Sequence, residues 1–432
     1  MTLHYVPAGV EVYSSKAQLT AKMENNPKET TDFGKKFKQW RLSDRTVALT
    51  GTSLRNSVNI KHQADVALPI FGPTFIEMCG LTKVLMNPVH KDVFTAPFKA
   101  RGIKSIIDSG GFQMLVGQSA FIDPHSLVEN YNTHAQIGMP LDLPVRASVE
   151  SKFWDPVSHM IKANDDWLLK RLDKGVDLAL ISHGTSIARR RSRLDVLDRD
   201  ANVVAIAGLN IKPAPGVDHV LNITENLMYV LHRYHKRAEY FHVLGVTSKL
   251  WIFMYALIDA SGYVKSIGAD SVSHRLSALA GLYDKLDFSQ VQFNKEHTHR
   301  QYLECSCPTC ELVSDARIVQ NTVVLEAHNL WVRAKQTAQL RDLAAAFING
   351  TESLKLIYDT LRLKGVSLEK FTRIVRYALE VMGKDKWVPI KSDSRHKSLF
   401  NNVDVGYDAK LGERMEAIIK RYEKFHGRSF LK

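Results

Sequence analysis

The sequence lacks the features of a membrane-embedded or secreted protein. Its 432 residues contain no run that approaches the ~18 consecutive apolar residues of a membrane-spanning helix. The first residues show no basic head followed by an apolar stretch, so no secretory signal is visible. Internal repeats and low-complexity tracts are also missing, which argues against a solenoid or a disordered chain. A globular, cytoplasmic protein is therefore expected.

Cysteine is scarce, and its placement is informative. Of the four cysteines, Cys305, Cys307 and Cys310 fall within six residues, and only Cys79 lies elsewhere. A disulfide framework would spread its cysteines along the chain, so the cluster indicates a metal site in a reducing compartment. Three thiolates at this spacing suit tetrahedral zinc in a structural site, with one nitrogen ligand still required.

The fourth ligand is predicted to be a histidine. His328, in the helix-like stretch EAHNLW, is the main candidate, and His297 and His299 just upstream compete with it. Such a closed site would clamp a loop onto a helix.

Short apolar, β-branched runs that end in Gly, Ser, Asp or His alternate with helix-like segments. The eight runs are residues 47–53, 64–72, 103–111, 137–145, 176–184, 202–210, 240–247 and 264–273. Strands that alternate with helices indicate a parallel sheet. Eight of them over about 230 residues predict a closed (β/α)8 TIM barrel, with an open doubly wound sheet as the alternative.

The same reading divides the chain into four regions. Residues 1–45 form an N-terminal extension, and 46–290 form the barrel domain. Residues 291–345 contain the zinc-binding subdomain and the helix that closes the barrel, and 346–432 form a C-terminal helical region.

Polar or glycine residues stand at the C-terminal ends of the predicted strands, where barrel enzymes build their sites. They are Asp108, Asp142, His183, Gly208 with Leu209, Gly245 and Asp270. The alternative is that strand ends are polar simply because loops begin there. The sharpest motif is 108–113, DSGGFQ, in which an acid is followed by two glycines that admit a ligand and by an aromatic ring that can stack on a base.

Basic residues outnumber acidic ones by 58 to 45, a net charge of +13. The excess favours a polyanionic partner, although it also serves solubility. A phosphate-binding stripe beside the active face is predicted in the run 187–193, against the alternative of a solvated helix face. Its members are Arg189, Arg190, Arg191 and Arg193.

Taken together, these motifs resemble the tRNA-guanine transglycosylase superfamily over about residues 64–345. The resemblance rests on motifs in matching order: DSGGFQ, the glycine-leucine of 206–210, LGV at 244–246, GADS at 268–271, CSCPTC and HNL at 328–330. It implies a barrel with a zinc subdomain, and exchange of guanine for a 7-deazaguanine through a covalent sugar intermediate. A flipped nucleotide would be required.

Carried over by motif, Asp108 matches the general acid/base, Phe112 the residue that stacks on the base, and Asp142 the acid that reads the N1 and N2 edge of guanine. The other positions that the resemblance places around the substrate are Ser109, Gly110, Gly111, Gln113, His183, Gly208, Leu209, Leu244 and Gly245.

The nucleophile position departs from the family pattern G-x-D-x-F-D. Strict alignment of residues 268–273 places Ser273 where the family has its nucleophilic aspartate. Asp270 is the predicted nucleophile, because it is the only carboxylate at this strand end. His183 stands where the bacterial tRNA enzymes carry glutamine.

With these departures, the chain is similar to the DpdA-type DNA-guanine transglycosylases of phages and genomic islands. The resemblance implies insertion of a free base such as preQ0 into DNA, in the cytoplasm of a bacterium or a phage-infected host. The alternatives are a tRNA substrate, as in queuosine or archaeosine synthesis, and a non-catalytic nucleic-acid-binding subunit. A homodimer is one assembly open to the chain.

Overall fold

The computed structural model describes most of the chain from residue 73 onward and a short N-terminal segment. The described residues are 2–7, 73–86, 96–117, 119, 121–211, 217–271, 273–292, 305–307, 310, 322–390 and 408–431. The strands predicted at 47–53 and 64–72 lie outside them, as do His297 and His299.

The fold is mixed α/β, and its main strands are parallel. They are β1 (Thr2–Pro7), β2 (Lys83–Met86), β3 (Lys104–Ile107), β4 (Ile137–Gly138), β5 (Asp177–Leu178), β6 (Leu180–Ser182), β7 (Val203–Ile206), β8 (Tyr240–Val243) and β9 (Ser266–Ser271). One sheet has the order β1-β9-β8-β7-β6, and the other has the order β2-β3-β4-β5. An antiparallel hairpin follows, formed by β10 (Leu282–Asp284) and β11 (Gln290–Gln292). The predicted parallel α/β class is confirmed.

Helices follow most strands, as the alternating pattern predicts. In the first part of the chain they are α1 (Pro73–Met78), α2 (Ala96–Lys99), α3 (Gly111–Leu115), α4 (Pro124–His134), α5 (Glu150–Leu169), α6 (Ile187–Leu197), α7 (His219–Tyr234), α8 (Lys249–Ala260) and α9 (Ser273–Leu279). The later helices are α10 (Thr322–Ile348), α11 (Leu354–Leu361), α12 (Leu368–Met382) and α13 (Ala409–His426).

Strand β1 lies within residues 1–45, which have few strand signals and are predicted to form an N-terminal extension. It pairs in parallel with β9, with Val6 opposite Asp270, and buries Leu3, Tyr5 and Val6. Six residues that include a histidine and end in proline give no continuous apolar run, so only the pairing with a distant strand reveals this element. It places an N-terminal strand beside the end of β9.

The core lies between the sheets and their helices. Every residue of β7 and β8 is buried, as expected for parallel strands that are covered on both faces. The middle of α8 is apolar on all sides because the helix packs between β9 and α10. Helix α13 returns to pack against α5 and α3, close to the C-terminal ends of the first strands. Within the part of the chain that the structure describes, no helix is both long enough and apolar enough to cross a membrane.

Candidate active site and metal centre

Three carboxylates lie at one edge of the parallel strands. Asp108 directly follows β3, Asp142 lies in the segment after β4, and Asp270 is near the end of β9. Burial, together with the negative charges of Asp270 and Asp142, raises the pKa of Asp108 to about 6, against the lowering effect of a hydrogen bond from the Ser109 backbone. The three side chains are therefore near enough to interact electrostatically, and Asp108 holds a proton more readily than Asp142, whose pKa is lowered.

The turn after β3 is fixed by its serine and its glycines. The Ser109 backbone N–H donates to Asp108 Oδ1 at 2.8 Å, and the buried Ser109 hydroxyl accepts from the N–H groups of Gly111 and Asp142. Gly110 has a φ of 73°. A Cβ on Gly111 would lie 2.2 Å from the Asp142 carbonyl oxygen. The close approach of these two backbones thus requires glycine, and it holds Asp108 and Asp142 in a fixed relation.

Phe112 offers an aromatic surface next to this turn. It is 50% exposed, although it belongs to the first turn of α3, where Met114 and Leu115 are buried. The adjacent Gln113 has a buried Oε1 without a hydrogen-bond partner among the described residues. A flat, exposed ring is a surface on which a planar ligand can stack.

Asp142 faces the buried His183, with 3.1 Å between Asp142 Oδ1 and His183 Nδ1. Burial lowers the pKa of His183, so the imidazole is neutral near pH 7. Burial alone would raise the pKa of Asp142, but His183 and the charges of Arg193 and Arg190 lower it. Because His183 is itself neutral, we attribute the ionised state of Asp142 mainly to the two permanent arginine charges. Gly208 has a φ of 76°, and a Cβ there would lie 3.0 Å from the His183 ring, so this position favours glycine as well.

The predicted phosphate-binding stripe is wrong for two of its four arginines. Arg190 is fully buried and donates to the carbonyl oxygens of Ser182, Gly184 and Ala207, at 2.6, 2.6 and 3.0 Å, and to Asn226 Oδ1 at 3.1 Å. These hydrogen bonds connect the ends of β6 and β7. They occupy the guanidinium group of Arg190, so it is not available to bind a phosphate.

Arg193 lies on the same inward face of α6. Its guanidinium carbon is 4.1 Å from the centre of the Trp154 ring, and its Nε donates to Ser158. The two remaining arginines stay near the surface: Arg189 pairs with Glu150, and Arg191 is exposed. Arg190 and Arg193 are three residues apart on a helix and therefore share one face. That face is buried, which the run of arginines in the sequence does not reveal.

Asp270 is held at its Oδ1 atom. This oxygen accepts from the Gly245 backbone N–H at 3.0 Å and lies 3.2 Å from His242 Nε2. Gly245 has a φ of 68°, and its carbonyl oxygen accepts from Asn210, which ties the loop after β8 to the loop after β7. Leu209 is buried and Leu244 half-buried in these two loops. Sequence reasoning missed His242 and Asn210; the only signal was a histidine in an otherwise apolar strand.

Ser273, the alternative nucleophile position, begins α9 instead of ending β9. Its hydroxyl accepts from Ser271 at 2.7 Å, and Ser271 in turn accepts from Thr247. The neighbouring His274 is buried, with its Nε2 3.8 Å from Glu326. Asp270 is therefore the side chain that the strand end directs toward Gly245.

The predicted metal ligands come together as one cluster. The Sγ atoms of Cys305, Cys307 and Cys310 lie 3.6, 3.4 and 3.3 Å from His328 Nδ1, and all four ligand atoms lie within 4.8 Å of one another. Around zinc, bonds of about 2.3 Å to sulfur and 2.0 Å to nitrogen at tetrahedral angles place these atoms about 3.5 Å apart. The cluster can hold a metal ion, and its donor set and spacing suit zinc.

The histidine is oriented by its surroundings. His328 Nε2 lies 2.8 Å from the Asp284 carbonyl oxygen, so Nε2 carries the proton and Nδ1 is left as the ligand. Tyr283 stacks on the ring at 3.8 Å. Asn329 accepts from the Asp284 backbone and donates to the Leu282 carbonyl oxygen. The HNL motif therefore supplies a ligand and a clamp between α10 and β10.

A buried ion pair supports the same junction. Arg333 on α10 reaches both carboxylate oxygens of Asp284, with Nε at 2.7 Å and Nη2 at 3.2 Å. Asp284 also accepts from Gln290 on β11. Neither residue was predicted, because the sequence gives no indication that an acid on a short hairpin meets an arginine five residues beyond His328.

Comparison with protein-family models and with curated proteins finds no match.

Proposed function

We propose that this protein is a guanine transglycosylase, which replaces guanine in DNA by a 7-deazaguanine base such as preQ0. The observation that carries the proposal is the meeting of Asp108, Asp142 and Asp270 at one edge of the parallel strands, in surroundings that give Asp108 and Asp142 opposite preferences for a proton. Titratable groups whose surroundings separate their pKa values in this way are typical of acid/base catalysis.

The proposal includes the predicted (β/α)8 barrel. Only Ala179 separates β5 from β6, and its N–H donates to the Gly138 carbonyl oxygen, as a continuous strand would. Strands β1 and β2, the outer strands of the two sheets, pack against each other. Counting β5 and β6 as one strand gives eight parallel strands, the number in a TIM barrel.

In the first step, the Asp270 carboxylate attacks C1′ of a flipped guanosine. The bond from C1′ to N9 breaks, its electron pair stays with guanine, and Asp108 gives its proton to the departing base. The product is an ester between Asp270 and the sugar. A pKa of about 6 suits Asp108 to this role, because an acid works best when its pKa lies near the working pH.

In the second step, N9 of the incoming 7-deazaguanine gives its proton to Asp108 and attacks C1′. The ester bond breaks, and its electron pair returns to Asp270. Ionised Asp142 accepts from N1–H and from the exocyclic amine of either base, which a protonated carboxyl group would do poorly. Phe112 stacks on the base, and backbone groups at Gly208, Leu209, Leu244 and Gly245 line the pocket.

Zinc, bound by Cys305, Cys307, Cys310 and His328, would serve the structure and leave the chemistry to the carboxylates. Four protein ligands fill a tetrahedral site, so no coordination position is open for a substrate. The metal would hold the cysteine loop against α10.

DNA is the proposed substrate, and tRNA is the alternative. The positions of Ser273 and His183, which differ from the bacterial tRNA enzymes, favour DNA. The net charge of +13 suits either polyanion.

The test is incubation of the purified protein with labelled preQ0 and, separately, with duplex DNA, single-stranded DNA and tRNA. Label in DNA, and none with the Asp270→Asn variant, is expected. Label in tRNA alone would overturn the choice of DNA. Absence of label from every nucleic acid would favour the non-catalytic subunit.

A further inference from the structure

Four residues of two neighbouring strands line up behind the proposed nucleophile. Tyr240 and His242 are two apart on β8, and Gly268 and Asp270 are two apart on β9, so each pair points to one face of its strand. The register places His242 opposite Gly268. His242 is completely buried, and Tyr240 is 5% exposed. Tyr240 and His242 are thus polar side chains at buried strand positions, which apolar side chains usually occupy.

A chain of contacts leads from Tyr240 through His242 to Asp270, the proposed nucleophile. The Tyr240 hydroxyl lies 2.9 Å from His242 Nδ1, and His242 Nε2 lies 3.2 Å from Asp270 Oδ1. Gly245 N–H donates to that same oxygen. Neither contact involves Oδ2, which leaves Oδ2 as the oxygen for attack on the sugar. A Cβ on Gly268 would lie 2.5 Å from the Tyr240 hydroxyl, so glycine makes room for the arrangement.

The tautomer of His242 follows from these neighbours. If Nδ1 carried the proton, the lone pair of Nε2 would face the negative oxygen of Asp270 at 3.2 Å, which is repulsive. If the tyrosine hydroxyl donates to Nδ1, the proton sits on Nε2, the nitrogen that lies 3.2 Å from Asp270 Oδ1. Burial, with a further contribution from the charge of Asp270, raises the pKa of Tyr240, which keeps the hydroxyl protonated as a donor.

We propose that His242 is a positioning residue that orients the Asp270 carboxylate for attack, with Tyr240 setting the proton on Nε2. The inference rests on the proposed function of Asp270. The contact between His242 and Asp270 is short, but its angle is not that of a hydrogen bond in the free protein. Catalytic hydrogen bonds are often misaligned in free enzymes and tighten when substrate binds.

The test compares four variants of the full-length protein in the base-exchange assay, with kcat and KM measured for DNA and for preQ0. His242→Leu removes the donor and keeps a buried side chain, whereas His242→Gln keeps an N–H donor on a side chain of similar reach. Tyr240→Phe removes only the hydroxyl. Tyr377→Phe is the matched control, because Tyr377, on α12, is also 5% exposed and its hydroxyl donates to the Val388 carbonyl oxygen in the segment after that helix.

His242→Leu should lower kcat on the order of 100-fold with KM within about threefold, since the lost donor orients the nucleophile more than it binds substrate. His242→Gln should recover at least tenfold of that loss. Tyr240→Phe should lower kcat about three- to tenfold, and Tyr377→Phe should leave it unchanged.

Equal losses in the leucine and glutamine variants, or a Tyr240→Phe variant no slower than Tyr377→Phe, would overturn the role of His242. If the leucine variant does not fold, the comparison of His242→Gln and Tyr240→Phe with the control decides. A wild-type protein without exchange on any nucleic acid refutes the proposed function itself. Active wild type with an unaffected kcat in every variant refutes only the positioning role.

Discussion

Replacement of Asp108 by asparagine should strongly reduce exchange and should stabilise the protein at neutral pH. Burial and the neighbouring acids Asp270 and Asp142 raise the pKa of Asp108 from 3.8 to about 6, so ionising it in the folded state is unfavourable. A shift of this size corresponds to about 3 kcal/mol at pH 7. Because the side chain is partly exposed, solvent screening reduces the expected gain to about 2 kcal/mol.

The dependence on pH distinguishes this electrostatic cause from a packing effect. Below about pH 3 the carboxyl group is mostly protonated in both the folded and the unfolded state, so it imposes little penalty. Between pH 4 and 6 the unfolded chain releases a proton that the folded protein retains, and wild-type stability falls as pH rises. The gain from Asp108→Asn should therefore be small at pH 4, about a fifth of its full value, and complete by pH 7.5.

Chemical denaturation of both proteins at these two pH values measures the difference in unfolding free energy. Asp155→Asn is the control, because Asp155 is exposed on α5. Exchange activity should fall at least about 100-fold in Asp108→Asn. A stability difference that is the same at both pH values, or a variant that is less stable at pH 7.5, would refute the reasoning.

Three further predictions concern the metal, the close backbone approach and the buried arginines. Cys310→Ser should lose bound zinc, measured by elemental analysis as one ion per chain in the wild type, and should melt at a lower temperature. Gly111→Ala should cost at least about 2 kcal/mol of unfolding free energy, since its Cβ meets a backbone carbonyl oxygen, whereas Gly175→Ala, in open space, should be neutral. Arg190→Met should destabilise the protein by about 3 kcal/mol, because three buried carbonyl oxygens lose their donor, and exposed Arg191→Met should stay within about 0.5 kcal/mol.

The elements that the sequence predicts well are those with strong local patterns. The strands at 203–206 and 240–243 and the helix at 368–382 lie where apolar runs and helical periodicity place them. The predicted strands extend too far at their C-terminal ends: the run 137–145 contains only Ile137–Gly138 as strand. Polar and glycine residues in those runs belong to the loops that carry the site, and an apolar run does not show where sheet pairing stops.

The sequence predicts those parts of the site whose residues lie close together along the chain. The metal ligands Cys305, Cys307 and Cys310 fall within six residues of the sequence, so their spacing already indicated the cluster. Contacts between distant segments were not visible: His183 meets Asp142 across 41 positions, and His242 meets Asp270 across 28. Such pairs depend on strand order and register, which no single segment encodes.

The pairing of β1 with β9 has a consequence for how the chain is made. Thr2 and Ser266 are neighbours in the sheet although about 260 residues separate them, and such distant contacts slow folding. During synthesis the first strand emerges from the ribosome long before its partner exists, so Leu3, Tyr5 and Val6 remain without their burial site until late in translation.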